Sequence, residues 1–232
     1  KINKDWIYYH IGRDKWVSDK FLEYFGAKRE YEDEITQHHK NIAAALQKRL
    51  EEVVISQLKF LKIKHKCEKV AVAGGVGLNC SMNGKIYLNA GFEEIFVQPA
   101  SGDAGVPIGA CYIASKENDN KIEIKKRHNS YLGSRFSEDE IYKTLNLSKE
   151  SFYKPENLFE KVAKIIANGK IIAWFQGNAE FGPRALGNRS IICRPYSSDM
   201  KDYINSRVKF REYFRPFAPA VTLEQANKFF EI

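Results

Sequence analysis

The sequence predicts an α/β protein of two domains. Three observations point there. Two strand-sized apolar runs, "KVAVAGG" and "EEIFVQPA", each lead through a glycine-bearing turn into a helical pattern. A charged stretch without core residues, "ENDNKIEIKKRHNS" (117–130), interrupts the chain. Beyond it, two amphipathic helices precede two further strands, and 232 residues suffice for two modest domains.

The clearest helix covers 33–62. Ile35, Ile42, Leu46, Leu50, Val53, Val54 and Leu58 recur there at three- and four-residue steps, which gives one apolar face. His38 and His39 are adjacent and point about 100° apart, so they read as satisfied or solvated rather than as a metal pair. "KVAVAGG" predicts a buried strand and tight turn, and "LNCSMNGKIYLNAG" a short helix stopped by Gly91. "EEIFVQPA" is a second strand, and Gly102 to Gly109 leads into an Ala-rich helix. Two such units in succession imply a parallel or mostly parallel sheet. The polar stretch then reads as a linker, which divides the chain into residues 1–118, a linker at 119–130, and residues 131–232.

In the second part, Ser137 with an acid three residues on starts a helix. "NLFEKVAKIIANG" is another helix with a glycine stop. "KIIAWFQG" and "RSIICRP" are strands on either side of the loop "GPRALGNRS" (182–190). "SSDMKDYINSRVKF" looks helical and "FREYFRPFAPAVTL" extended and proline-marked. There is no internal repeat.

Composition excludes several classes. No run of 18 apolar residues exists, so no membrane span is expected. The N-terminus lacks an apolar signal core, and Cys67, Cys80, Cys111 and Cys193 are scattered without a CxxC pair. Both features fit a reducing cytoplasm, with the cysteines as small buried residues. The chain starts without methionine and ends at "NKFFEI" in a helical pattern, so it reads as a piece of something longer. Net charge is +8, from 37 Lys and Arg against 29 Asp and Glu, which favours phosphorylated partners but equally fits a lysine-rich surface. The aromatics are dispersed and no RNA-reading signature is present, so a nucleic-acid partner is not expected.

Two loops of the first part fall at the carboxyl ends of consecutive strands, where α/β sheets bind ligands. "GGVGLN" places Gly74, Gly75 and Gly77 at a strand-to-helix turn, either a tight turn alone or an anion site at a helix N-terminus. It matches neither the Rossmann nor the P-loop pattern. Asp103 in "SGDAG" either caps the next helix or offers a hard carboxylate to a divalent cation or nucleotide. In the second part, Arg184, Arg189 and Ser190 share one Gly- and Pro-shaped loop, followed by Arg207, Lys209, Arg211 and Arg215. Arginine forks match phosphate or carboxylate oxygens, and Glu180 and Glu212 offer internal ion pairs as the alternative use of these charges.

Four stretches in this order, "GGVGLNCSMNGKI", "VQPASGDAGVPIGA", "WFQGNAEFGPRALGNRSI" and "KFREYFRPFAPAV", resemble the motifs of the NodU/CmcH-type O-carbamoyltransferases. "HHKNIAAALQKRLEEV" resembles the helix before them, and the likeness covers roughly residues 30 to 222. The resemblance implies part of an actin-like (ASKHA) nucleotide-binding domain followed by part of a YrdC-like domain. It implies an enzyme that makes carbamoyl-adenylate from carbamoyl phosphate and ATP, then carbamoylates a hydroxyl of a small molecule such as a sugar or antibiotic. It also implies an iron-type divalent ion, Fe²⁺. By resemblance, Gly75 and Asn79 contact the adenylate, Asp103 is a metal ligand at the nucleotide site, and Arg184, Lys209 and Arg215 hold carbamoyl phosphate. Loop chemistry adds Gly74 to the first group and Arg189 and Ser190 to the last. The family's upstream histidine metal ligands and later basic contacts have no counterpart here, so the chain alone is expected to be inactive. The rival readings are an actin-fold kinase or threonylcarbamoyl-transfer protein, and a non-catalytic basic binding module. The motifs name neither the acceptor nor an oligomeric state.

Overall fold

A computed structural model describes residues 3–9, 11–118, 130–195 and 198–230. The chain groups into two compact units, residues 1–68 with 84–92, and residues 69–83 with 93–232. The architecture is mixed α/β. Apart from Ser130, the expected linker lies outside the described residues.

The first unit opens on an aromatic cluster. A single β-bridge joins Ile7 to Val17, and helix α1 (Asp19–Phe25) follows. The buried Ser18 caps α1 by accepting the Phe21 N–H at 3.2 Å. Trp6 meets Tyr24 edge-on at 5.5 Å and Phe25 at 6.0 Å. Helix α2 (Gln37–His65) realises the long periodic segment. Ile42, Leu50, Val54 and Leu58 are half-buried, but Leu46 is 72% exposed, so the apolar stripe is narrower than the spacing suggests. Both histidines are satisfied as expected: His38 Nε2 lies 2.7 Å from the Phe25 carbonyl, and His39 Nδ1 accepts the Thr36 N–H at 3.1 Å. Ile86, Ala90 and Phe92 are the buried apolar side chains among the described residues of this unit, and Lys62 bonds the Gly91 carbonyl and Glu68 beside them.

In the second unit, β1 (Lys69–Val72) pairs in parallel with β2 (Glu94–Val97), with Lys69 opposite Glu94 as an ion pair. Between them in sequence runs α3 (Cys80–Asn89), whose residues from 84 onward belong to the first unit, and after β2 comes α4 (Val106–Glu117). This is the expected parallel arrangement in its smallest form. Farther on, α5 (Glu138–Ser148) starts in the predicted capping box of Ser137 and Glu140. Helix α6 (Leu158–Ala167) precedes the antiparallel pair β3 (Ile172–Phe175) and β4 (Arg189–Ile192). Helix α7 (Ser198–Tyr203) continues into a π-helical turn, Ile204–Val208, and the short α8 (Ala226–Phe229) lies near the end.

All four cysteines are free thiols. None is buried: Cys80 and Cys111 are exposed, because they stand on open faces of α3 and α4. The expectation of buried cysteines is corrected accordingly. No described helix is long and apolar enough to cross a membrane.

Candidate functional site

Three loops of the second unit converge around Pro99 to Ser101. The turn after β1 forms a short 3-10 helix, Gly75–Leu78, entered through Gly74. The Gly74 N–H donates to the Ser101 carbonyl at 2.6 Å, tying this turn to the loop after β2. Gly77 is buried, and a Cβ there would lie 3.1 Å from the Ser101 side chain. Against the same loop also sits Gly182, the first residue of the arginine loop. Its φ of +120° is open only to glycine, and a Cβ would meet the Pro99 carbonyl at 3.1 Å. Gly105 is more constrained still, because a Cβ would fall 2.1 Å from the Ala100 carbonyl oxygen.

Gly75 faces open space. Asn79 has a local task, since its Oδ1 accepts the Met82 N–H at 3.0 Å and caps α3. Asn83 donates from Nδ2 to the Gly77 carbonyl at 2.8 Å. Its Oδ1 and the hydroxyl of Ser101 are buried polar atoms without a hydrogen-bond partner among the described residues. Asp103 is exposed at the start of the 3-10 turn Asp103–Gly105 that leads into α4. Among the described residues no three His, Cys, Asp or Glu side chains gather to hold a metal. Asp103 therefore offers one carboxylate, which does not by itself make a metal site.

The arginine loop is built around Glu180. One carboxylate oxygen of Glu180 accepts three backbone N–H groups, from Leu186 and Asn188 at 2.8 Å each and from Arg189 at 3.1 Å. Desolvation acts to raise this carboxyl's pKa, but these N–H bonds outweigh it and bring the value down to about 2. Arg189 points its fork at carbonyls instead of at an acid. Its Nη1 donates to Gln176 at 2.6 Å and Asn188 at 2.9 Å, and its Nη2 to Gly177 at 3.1 Å and Ser134 at 3.2 Å. The guanidinium also stacks 3.5 Å above Phe175, its cross-strand partner. The Ser190 hydroxyl accepts the Gly187 N–H at 2.9 Å. Tyr131 closes the loop from outside by donating to the Leu186 carbonyl at 2.8 Å. Arg184 stands apart: it is exposed and makes no hydrogen bond or ion pair among the described residues. Internal pairing of Glu180 with an arginine, the alternative raised by the sequence, is replaced by pairing of both charges with backbone dipoles.

The second basic group is organised around Asn205, which is fully buried in the π-helical turn. Arg211 donates from Nε to Asn205 Oδ1 at 2.7 Å and lies over Phe217 at 4.6 Å. Arg215 pairs with Glu212 at 2.9 Å, so here one expected internal ion pair does form. Lys209 and Arg207 are exposed, with no side-chain partner among the described residues. The structure thus brings Gly74 and Gly75 against residues 101 and 102, just before Asp103, and the root of the arginine loop against Pro99 and Ala100, while Asn79 caps α3. Lys209 and Arg215 belong to a separately organised segment. Sequence reading missed Asn205 as an organiser and did not find the backbone partners of Glu180. The asparagine inside the helical pattern "SSDMKDYINSRVKF" was the one local signal.

Two family models match the chain: "carbamoyltransferase N-terminus" over residues 1–112 and "carbamoyltransferase C-terminus" over residues 163–232. The Synechocystis protein sll1178 is 40% identical over 225 residues, covering 93% of this chain and 37% of that protein. Nodulation protein NolNO of Sinorhizobium fredii is 40% identical over 85% of this chain and 29% of its own length. The 3'-hydroxymethylcephem-O-carbamoyltransferase of Streptomyces clavuligerus is 32% identical over 68% of this chain and 29% of its own length. The chain therefore spans roughly a third of the length of the curated relatives it matches.

Proposed function

The chain belongs to the carbamoyltransferase family, and from that premise we propose that it is part of an ATP-dependent O-carbamoyltransferase. In this reading residues 1–118 are part of an actin-like domain and residues 131–232 part of a YrdC-like domain. Water releases phosphate from carbamoyl phosphate to give carbamate, whose oxygen bonds the α-phosphorus of ATP as pyrophosphate leaves, giving carbamoyl-adenylate. A small-molecule hydroxyl oxygen then bonds the carbamoyl carbon while AMP leaves. The cephem relative named above supports a small-molecule acceptor.

The observation that carries the proposal is the convergence at Pro99 to Ser101. The glycine turn and the arginine loop both contact the same short loop. A nucleotide at Gly74, Gly75 and Asn79 and a phosphate-bearing donor at Arg184 would then share one wall. The unpartnered Ser101 hydroxyl and Asn83 carbonyl fit a polar ligand at that wall. Arg184, Lys209 and Arg215 neutralise the donor's phosphate, which a nucleophile otherwise approaches against charge. Ser190 and Arg189 shape the loop that presents Arg184. A divalent ion such as Fe²⁺ would take Asp103 as one ligand and need others besides the described residues, and once bound would supply Lewis-acid charge beside the nucleotide phosphates.

The test uses the full-length protein with ATP, carbamoyl phosphate and an iron or manganese salt, without acceptor. Mass spectrometry should find carbamoyl-adenylate, and the Arg184→Ala variant should lose it. If nucleotide binds and no adenylate forms, the proposal fails.

A further inference from the structure

We infer that Asn205 is the positioning residue that sets Lys209 and Arg215 for the donor's phosphate; this rests on the function proposed above. The side chain is 0% exposed, yet it is polar, and a buried amide is tolerated only when its hydrogen bonds are made. Its bonds all go to one segment. Nδ2 donates to the carbonyls of Tyr213 at 3.2 Å and Arg215 at 3.0 Å, and Oδ1 accepts from Arg211 Nε at 2.7 Å. The Asn205 backbone carbonyl also accepts the Arg211 N–H at 2.9 Å. One buried residue thus fixes positions 211, 213 and 215 together.

The near end of the segment is held by the same turn. Lys209 donates its N–H to the Ile204 carbonyl at 2.8 Å, the five-residue step of a π-helix. Such single π-turns occur frequently at functional sites. Between the anchors, Phe210 takes φ of +48°, in the left-handed region a bulky aromatic avoids. That conformation reverses the chain directly after Lys209, and it persists because residues 209 and 211 are both tied down. Arg211 is bound to Asn205, to the Pro216 carbonyl at 3.4 Å and to the Phe217 ring, so its charge serves the segment itself. The lysine ammonium is left exposed, and Arg215 keeps its terminal nitrogens beyond the Nε pair with Glu212.

The decisive variant is Asn205→Asp. It preserves shape and the acceptor for Arg211 but removes both donors to the 213 and 215 carbonyls. Carbamoyl phosphate and ATP affinities are measured calorimetrically on the full-length protein for wild type, Arg215→Ala and Asn205→Asp. We expect carbamoyl phosphate affinity to fall at least tenfold in both variants, with ATP affinity unchanged. A normal affinity in Asn205→Asp beside a weakened Arg215→Ala overturns the positioning role and leaves the proposed function standing. An unaffected Arg215→Ala removes the phosphate assignment itself. Joint loss of ATP binding in Asn205→Asp marks a merely structural residue and also overturns the inference. If Asn205→Asp does not fold, Arg211→Gln decides: it frees Oδ1 at a half-buried position, and an unchanged carbamoyl phosphate affinity refutes the idea.

Discussion

Replacing Glu180 by alanine removes the single acceptor shared by three N–H groups of the arginine loop. A hydrogen bond to a charged acceptor contributes about 1.5–3 kcal/mol when buried, but this carboxylate is half-buried and water replaces part of each bond. The fall of its pKa from 4.5 to about 2 reflects those same bonds net of desolvation. At ~1.4 kcal/mol per pH unit that net gain is about 3.5 kcal/mol. Solvent screening brings the working value to about 2 kcal/mol. The loop, not the whole fold, should bear this loss, because the three donors lie within residues 186 to 189. About 2 kcal/mol corresponds to a roughly 30-fold rise in the open population. Amide hydrogen exchange at Leu186, Asn188 and Arg189 measures it directly. Glu180→Gln, which keeps an oxygen acceptor without charge, should show an intermediate acceleration. Exchange in Glu180→Ala within about threefold of wild type would refute the claim that this carboxylate holds the loop.

Three further outcomes follow from the same geometry. Because the folded pKa of Glu180 lies below its ordinary 4.5, its stabilisation is complete above pH 4.5 and is lost as pH falls toward 2; loop amide resonances should titrate in that window and stay constant in Glu180→Gln. Gly105→Ala should destabilise by about 1–3 kcal/mol, since its Cβ would sit 2.1 Å from the Ala100 carbonyl; thermal unfolding checks this, and an unchanged midpoint counts against the packing described. Arg184→Ala should leave the unfolding midpoint within about 1 °C, because the side chain is exposed and makes no hydrogen bond or ion pair among the described residues, while under the proposed function it lowers carbamoyl phosphate affinity at least tenfold.

Local signals made much of the fold legible. Ser137 and Glu140 announce a helix start three residues apart, and Gly91 and Gly169, both at φ +77°, stand at the predicted helix stops. The strands were readable as apolar runs bounded by turns. Helix α1 was not, because seven aromatic-rich residues show less than two turns of periodicity. Nor does sequence distinguish a five-residue hydrogen-bond step from a four-residue one, so the turn at Ile204–Val208 read as ordinary helix. At the site, residue types were visible but their partners were not. Arg184 and Arg189 look equivalent in "GPRALGNRS". What separates them is a carbonyl at Ser134, 55 positions away, and others at Gln176 and Gly177. Such long-range pairing has no local trace.

The loop at Glu180 and Arg189 carries two opposite charges that do not meet each other. Each is matched to backbone dipoles at contact distance, where dissolved ions cannot intervene. In the role proposed for it, the exposed Arg184 would draw an anion through solvent, where attraction fades over a Debye length of about 8 Å at physiological ionic strength. Salt would then separate scaffold from capture. Raising its concentration should weaken the hold on an approaching anion and leave in place the frame that presents the guanidinium.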